Sequence, residues 1–218
     1  LLEMDPDFYN EWNNKSSNAK NDLGPQDSKN LLIAKMTKVA LFLTNRNNFK
    51  FDKEGDNKPA QNGLAYSYGS RIYHLRQLPP AGQCTDEVYG LDCSGFVYQV
   101  FLKAGIYLDL PTYADLQRRP KTIEDAILAG YPEITKIKVE DLGKLPSSKF
   151  ECGDIIYWKN ANGVAFHIGI VLKNSNGKLA IAQSNGVDNG TCENNYGLNR
   201  GPRFSNITKA ILPKDAGG

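Results

Sequence analysis

The chain has 218 residues, a formal net charge of +2, 40% hydrophobic and 23% charged residues. That length suits one sizeable domain, which buries roughly 70% of its unfolded surface and needs no staple to fold. The small charge gives no footprint for nucleic acid or an anionic membrane, and no apolar run reaches the roughly 20 residues that span a bilayer.

Residues 1–27 read as a polar arm punctuated by Asp5-Pro6, Asn13-Asn14 and Gly24-Pro25. The start, Leu1 to Asn13, is acidic and aromatic rather than basic then apolar, so no targeting segment is read there. Residues 28–215 read as a single catalytic domain. Its first helix is expected from Ser28 as N-cap, with Leu32, Met36, Val39 and Leu43 at helical spacing. Asn45 to Asn62 reads as a loop that contributes nothing apolar. Ala65 to Tyr73 is short and aromatic, and Pro79-Pro80-Ala81-Gly82 breaks the chain.

The clearest helix follows. Asp92 can cap it, Phe96, Val97, Val100, Phe101 and Ala104 form its buried stripe, and Gly105 is its natural stop. An insertion at about 107–150 has helical turns expected around Tyr113–Arg118 and Ile123–Leu128. The texture then changes to short strands at Asp154–Trp158, Phe166–Leu172, Leu179–Gln183 and Lys209–Leu212. Turn signals separate them at Asn160–Gly163 and Asn174–Gly177, then in a long Asn185–Arg203 loop. Helices followed by a strand meander predict an α+β fold, with the helices on one face of an antiparallel sheet.

The segment Gly90-Leu91-Asp92-Cys93-Ser94-Gly95-Phe96-Val97 sets a cysteine in the first turn of an amphipathic helix. First-turn N–H groups lack intrahelical partners, and the helix dipole is positive there. Both favour a thiolate, the nucleophilic form, and both can stabilise an oxyanion on an attacked carbonyl. A free cysteine on a helix is otherwise more often a core residue. His167, in Phe166-His167-Ile168-Gly169-Ile170-Val171-Leu172, is the candidate base. Alternation puts Phe166, Ile168, Ile170 and Leu172 on one face, and His167, Gly169 and Val171 on the other. Gly169 leaves room beside His167 for a helix end to approach. A lone strand histidine is usually structural, but a helix-start cysteine can complete a Cys-His pair. The next strand ends in three candidates to orient the base: Gln183, Ser184 and Asn185.

Asp-Cys-Ser-Gly-Phe-Val, then Gly-Asp-Ile-Ile-Tyr-Trp, then His-Ile-Gly-Ile-Val resemble the NlpC/P60 family of papain-like cysteine peptidases, from about Tyr66 to Asn185. The resemblance implies a papain-like fold and hydrolysis of an amide bond in the peptide stem of bacterial peptidoglycan, of the D-glutamyl-diamino acid endopeptidase type. It makes Cys93 the nucleophile, His167 the base and Gln183 the orienting residue, where the family more often has His. Tyr66, Asp92, Ser94, Arg200 and Arg203 are the expected oxyanion or substrate-binding residues, the arginines by reading a substrate carboxylate. The Arg71–Tyr89 stretch is longer than usual and reads as a substrate-side loop.

No metal or cofactor is required, and the partners expected are stem peptides, with the chain a monomer. The resemblance implies action in the bacterial periplasm, at the cell surface or after secretion. An N-acetylmuramoyl-L-alanine amidase or toxin-like amidase on the same fold is the second enzyme reading, and a non-catalytic wall-binding module the reading from another class. Ser94 lacks a G-x-S-x-G elbow, and no acid spacing supports glycosidase chemistry. No C-x-x-C pair supports a zinc site. Cys84 and Cys192, both in Gly/Asn/Asp-rich stretches, either pair or remain free thiols with Cys152.

Overall fold

The computed structural model describes residues 25–51, 61–66, 75–77, 87–106, 108, 120–130, 149–159, 161–163, 165–186 and 201–207. Three α-helices are described: α1 (Pro25–Thr44), α2 (Cys93–Lys103) and α3 (Pro120–Gly130). The main sheet has four antiparallel strands in the order β5-β6-β7-β8: Ile155–Lys159, Ala165–Lys173, Leu179–Asn185 and Gly201–Ser205. Helix α2 packs on β6 and β7, α1 on α2, β6 and β8, and α3 on α2 and β6. This is the expected α+β layering, with a sequential meander that short turns favour.

Helix α2 forms where local signals agree. Asp92 is extended and its Oδ1 accepts from Gly95 N at 2.6 Å, which satisfies one orphan donor of the first turn. At the other end Gly105 takes φ +91°, Ile106 N donates to Phe101 O at 2.9 Å and Gly105 N to Leu102 O at 3.1 Å. That pair of bonds is a Schellman stop, which needs a left-handed residue. Between the caps the stripe Phe96, Val97, Val100, Phe101 and Ala104 is buried. It meets Met36, Val39, Ala40 and Leu43 of α1, Ile123 and Ile127 of α3, and Ile168, Ile170, Leu172 and Ala182 of the sheet.

Several expectations shift. Helix α1 begins at Pro25, so Ser28 lies inside it rather than capping it, and the helix overlaps the segment read as an arm. Proline suits a first helical position because its missing N–H is an orphan anyway. The Asn45–Asn62 stretch is not free of core residues. Phe49 is buried and meets Phe42 edge-on at 5.4 Å, and β1 (Lys50–Phe51) pairs with β2 (Gln61–Asn62). Likewise β3 (Leu75–Gln77) pairs with β4 (Glu87–Tyr89) inside the segment read as a loop. Strands of two or three residues are too short to show a period of two.

Strand β8 starts at Gly201, inside the segment read as the last long loop. Pro202 masks it, yet β8 is an edge strand, where a missing ladder donor is tolerated. The strand expected at Lys209–Leu212 and the helical turn at Tyr113–Arg118 lie outside the described residues.

The sheet has two apolar faces. Ile168, Ile170 and Leu172 face the helices, while Val171 and Ile181 join Phe150, Ile156, Trp158 and Ile207 on the other side. Phe166 packs with this second group, not with the helix-facing residues that alternation assigned to it. The cause is a register shift: Trp158 pairs with His167 but Lys159 with Ala165, so Phe166 is an extra residue. Such a bulge turns its side chain out of the alternating pattern and bends the strand next to His167.

Phe96 is fully buried where α2 meets the sheet. Phe96→Ala is expected to lower unfolding free energy by about 3–5 kcal/mol, the usual cost of a core aromatic cavity, read from urea denaturation midpoints.

Candidate active site

Four strands of chain meet at one corner of the molecule. Leu91 N donates to Ala65 O at 3.0 Å, and Ala65 bridges Gly90 in parallel, which lays the Tyr66 segment along the approach to α2. Ser184 Oγ donates to Leu91 O at 2.6 Å, tying that approach to β7. A Cβ on Gly186 would collide with the ring of Tyr66, and one on Gly201 with Leu64 O. Only glycine allows these two close approaches, which seat Tyr66 over the end of β7 and β8 against residues 64–65. Cys93, two residues beyond Leu91, opens α2 and is 5% exposed.

His167 lies on the sheet face away from the α2 stripe, 4% exposed. Its Nε2 is 2.7 Å from Gln183 Oε1, and Gln183 Nε2 donates to Ser205 Oγ at 2.7 Å. A carbamoyl oxygen only accepts, so Nε2 carries the proton and Nδ1 is left as the basic nitrogen. The Trp158 ring covers the imidazole with centroids 4.8 Å apart.

Burial pushes the His167 imidazole down to about 4 from its ordinary 6.5. The Gln183 bond pulls the other way, and the positive charge of Arg203 adds to the fall. Of the three residues weighed as orienters, Gln183 is the one bonded to His167, Ser184 holds Leu91, and Asn185 bonds to neither.

Other site expectations meet different geometry. Gly169 does not make room for a helix end: a Cβ there would lie 2.7 Å from Ile181 Cγ2 and 3.4 Å from Gln183 Cβ. The space serves the neighbouring strand, which lets Gln183 reach across to His167. Asp92 and Ser94, expected at the oxyanion or substrate, are spent on each other and on the helix start. Ser94 Oγ donates to Asp92 Oδ1 at 2.9 Å, and both side chains are buried.

Arg203 is partly buried on β8 directly opposite Gln183, while Arg200 lies outside the described residues, as do Cys84 and Cys192. Cys152 is a free thiol pushed up chiefly by burial, with Lys173 opposing and Asp154 adding. Ser205 was not legible as a site residue, because its role depends on the pairing of two strands 22 residues apart.

The NlpC/P60 family model matches residues 63–201, which takes in Tyr66, Cys93, His167 and Gln183 but ends before Arg203 and Ser205. The chain belongs to the NlpC/P60 family. NlpC/P60 proteins are generally cell-wall peptidases and hydrolases, and typically cysteine peptidases. Comparison with curated proteins and with solved structures gives no match. Among the described residues of this NlpC/P60 chain, no helix is long and apolar enough to cross a membrane.

The depressed His167 has a consequence for stability. The folded protein keeps it neutral down to about pH 4, whereas an unfolded chain protonates it near 6.5. Between those values unfolding takes up a proton, so this contribution is complete above pH 6.5 and is lost as pH falls towards 4. Urea denaturation should show a loss of about 3 kcal/mol over that window, reduced in His167→Gln.

Proposed function

We propose that this protein is a cysteine peptidase that cuts an amide bond in the peptide stem of bacterial peptidoglycan, with Cys93 as nucleophile, His167 as base and Gln183 holding the base. The observation that carries this reading is the Gln183 amide, fixed by Ser205 and 2.7 Å from His167 Nε2, one residue along β7 from Ser184, whose hydroxyl holds Leu91 just before α2. A neutral imidazole with its proton on the far nitrogen presents Nδ1 as the base.

His167 Nδ1 takes the Cys93 proton, and Sγ attacks the amide carbonyl. The oxyanion develops beside the first turn of α2, where the dipole is positive. Collapse expels the amine, which takes the proton from His167, and leaves a thioester on Cys93. His167 then deprotonates water, which displaces the thiolate and releases the acid. Through both steps the Gln183 carbonyl accepts the Nε2–H and keeps the ring from turning. Tyr66 and Arg203 line the substrate side, Arg203 as a cation suited to a stem carboxylate. A D-glutamyl-diamino acid bond fits that chemistry, and such a substrate assigns the protein to the periplasm, cell surface or exterior.

Mass spectrometry of a defined muropeptide mixture tests the reading. Wild type should release products cut within the stem, and Cys93→Ala should lower turnover by roughly 10⁴-fold or more. Undiminished cleavage by Cys93→Ala would show the nucleophile to be wrong, and products cut between muramic acid and L-alanine would show an amidase instead.

A further inference from the structure

In the proposed reaction His167 carries a positive charge twice, once after it takes the Cys93 proton and once after it deprotonates water. It does so at 4% exposure, where solvent cannot hold that charge. Among the described residues no carboxylate acts on the ring. Gln183 is neutral, and Arg203, directly opposite Gln183 on β8, is a cation that works against the charge.

One electron-rich neighbour remains. Trp158 stands directly across from His167 in the β5–β6 ladder, the last regular pair before the bulge at Phe166. The two ring centroids are 4.8 Å apart and the planes meet at 52°. An aromatic face carries the negative part of the ring quadrupole, and indole carries the strongest of the protein side chains. It attracts a cation within about 6 Å of the ring centroid, more strongly where water is absent. Trp158 is 7% exposed and packs with Ile156, Val171 and Ile181, so its place beside the imidazole is fixed by the sheet. Any large apolar side chain could fill that space, but only an electron-rich ring responds to the charge on the base.

We propose that Trp158 is a positioning residue that acts through His167, its indole face stabilising the imidazolium through which both proton transfers pass. Its effect on turnover rests on the proposed function. Its interaction with His167 rests on the geometry of the pair and can be measured without turnover.

Graded fluorination of the indole is the test. The chain has two tryptophans, Trp12 and Trp158, so Trp12→Phe leaves Trp158 alone to take up fluorotryptophan. Each fluorine drains the aromatic face while changing its shape little. From tryptophan through mono- and di- to trifluorotryptophan, kcat on a stem peptide should fall stepwise, by about two- to tenfold over the series, with KM nearly constant. The His167 titration seen by nitrogen-15 NMR and the acid limb of kcat/KM should move together to lower pH. Trp158→Leu should cost at least as much as the full series, and Trp158→Phe less, because it keeps an aromatic face. A packing role alone would leave kcat and the titration flat across the series. A flat or rising series, with turnover still dependent on Cys93, overturns the Trp158 assignment alone. Turnover that survives Cys93→Ala overturns the proposed function, and the NMR titration series then decides the Trp158–His167 interaction by itself.

Discussion

A hydrogen bond of 2.7 Å joins His167 to Gln183 where both side chains are almost wholly out of water. A charged imidazole in that setting lacks the solvation it would need, so the ring stays neutral, and Gln183 decides which nitrogen carries its proton. Nearly every feature of the corner serves that bond. Ser205 fixes the amide from behind. Gly169 leaves space for the Gln183 stem, because a β-carbon there would press on Ile181 and Gln183. Trp158 and the bulge at Phe166 set the ring's place on the strand.

The sheet carries two jobs on two faces. Ile168, Ile170, Leu172 and Ala182 bury the helices, and the residues between them carry His167, Gly169 and Gln183. A one-residue slip of β6 would exchange the two sets, so the apolar packing that fixes the register also fixes the site. Ser184 links the two faces in practice. It is fully buried and holds the Leu91 carbonyl, so helix start and strand end are located together. Breaking that bond would leave a carbonyl beside Cys93 without its partner at the place where alignment matters most.

What could be read from the sequence followed from how local each signal is. The stripe, cap and stop of α2 sit within 15 residues and were legible in full. The meander was legible from turn chemistry, including Asn174, whose Oδ1 accepts from Asn176 N and Lys178 N. Phe166 was put on the wrong face because a bulge is a property of two strands, not of one. Strand β8 was hidden by Pro202, whose missing ladder donor an edge strand tolerates. At the site, His167 stood out from its own strand, whereas Gln183 was one of three polar residues ending the next strand, with Ser184 and Asn185, and only the resemblance preferred it. Ser205, the tie from Ser184 to Leu91 and the true use of the gap at Gly169 all depend on cross-strand register, which no single segment contains.

The account stands on the tautomer and neutrality of one histidine, and the chain has only two, His74 and His167. Nitrogen-15 NMR of the histidine-labelled protein, with His74→Gln for assignment, observes it directly. The prediction is a His167 ring with its proton on Nε2 that remains neutral to about pH 4. A ring protonated on Nδ1, or one that titrates near its ordinary 6.5, would contradict it.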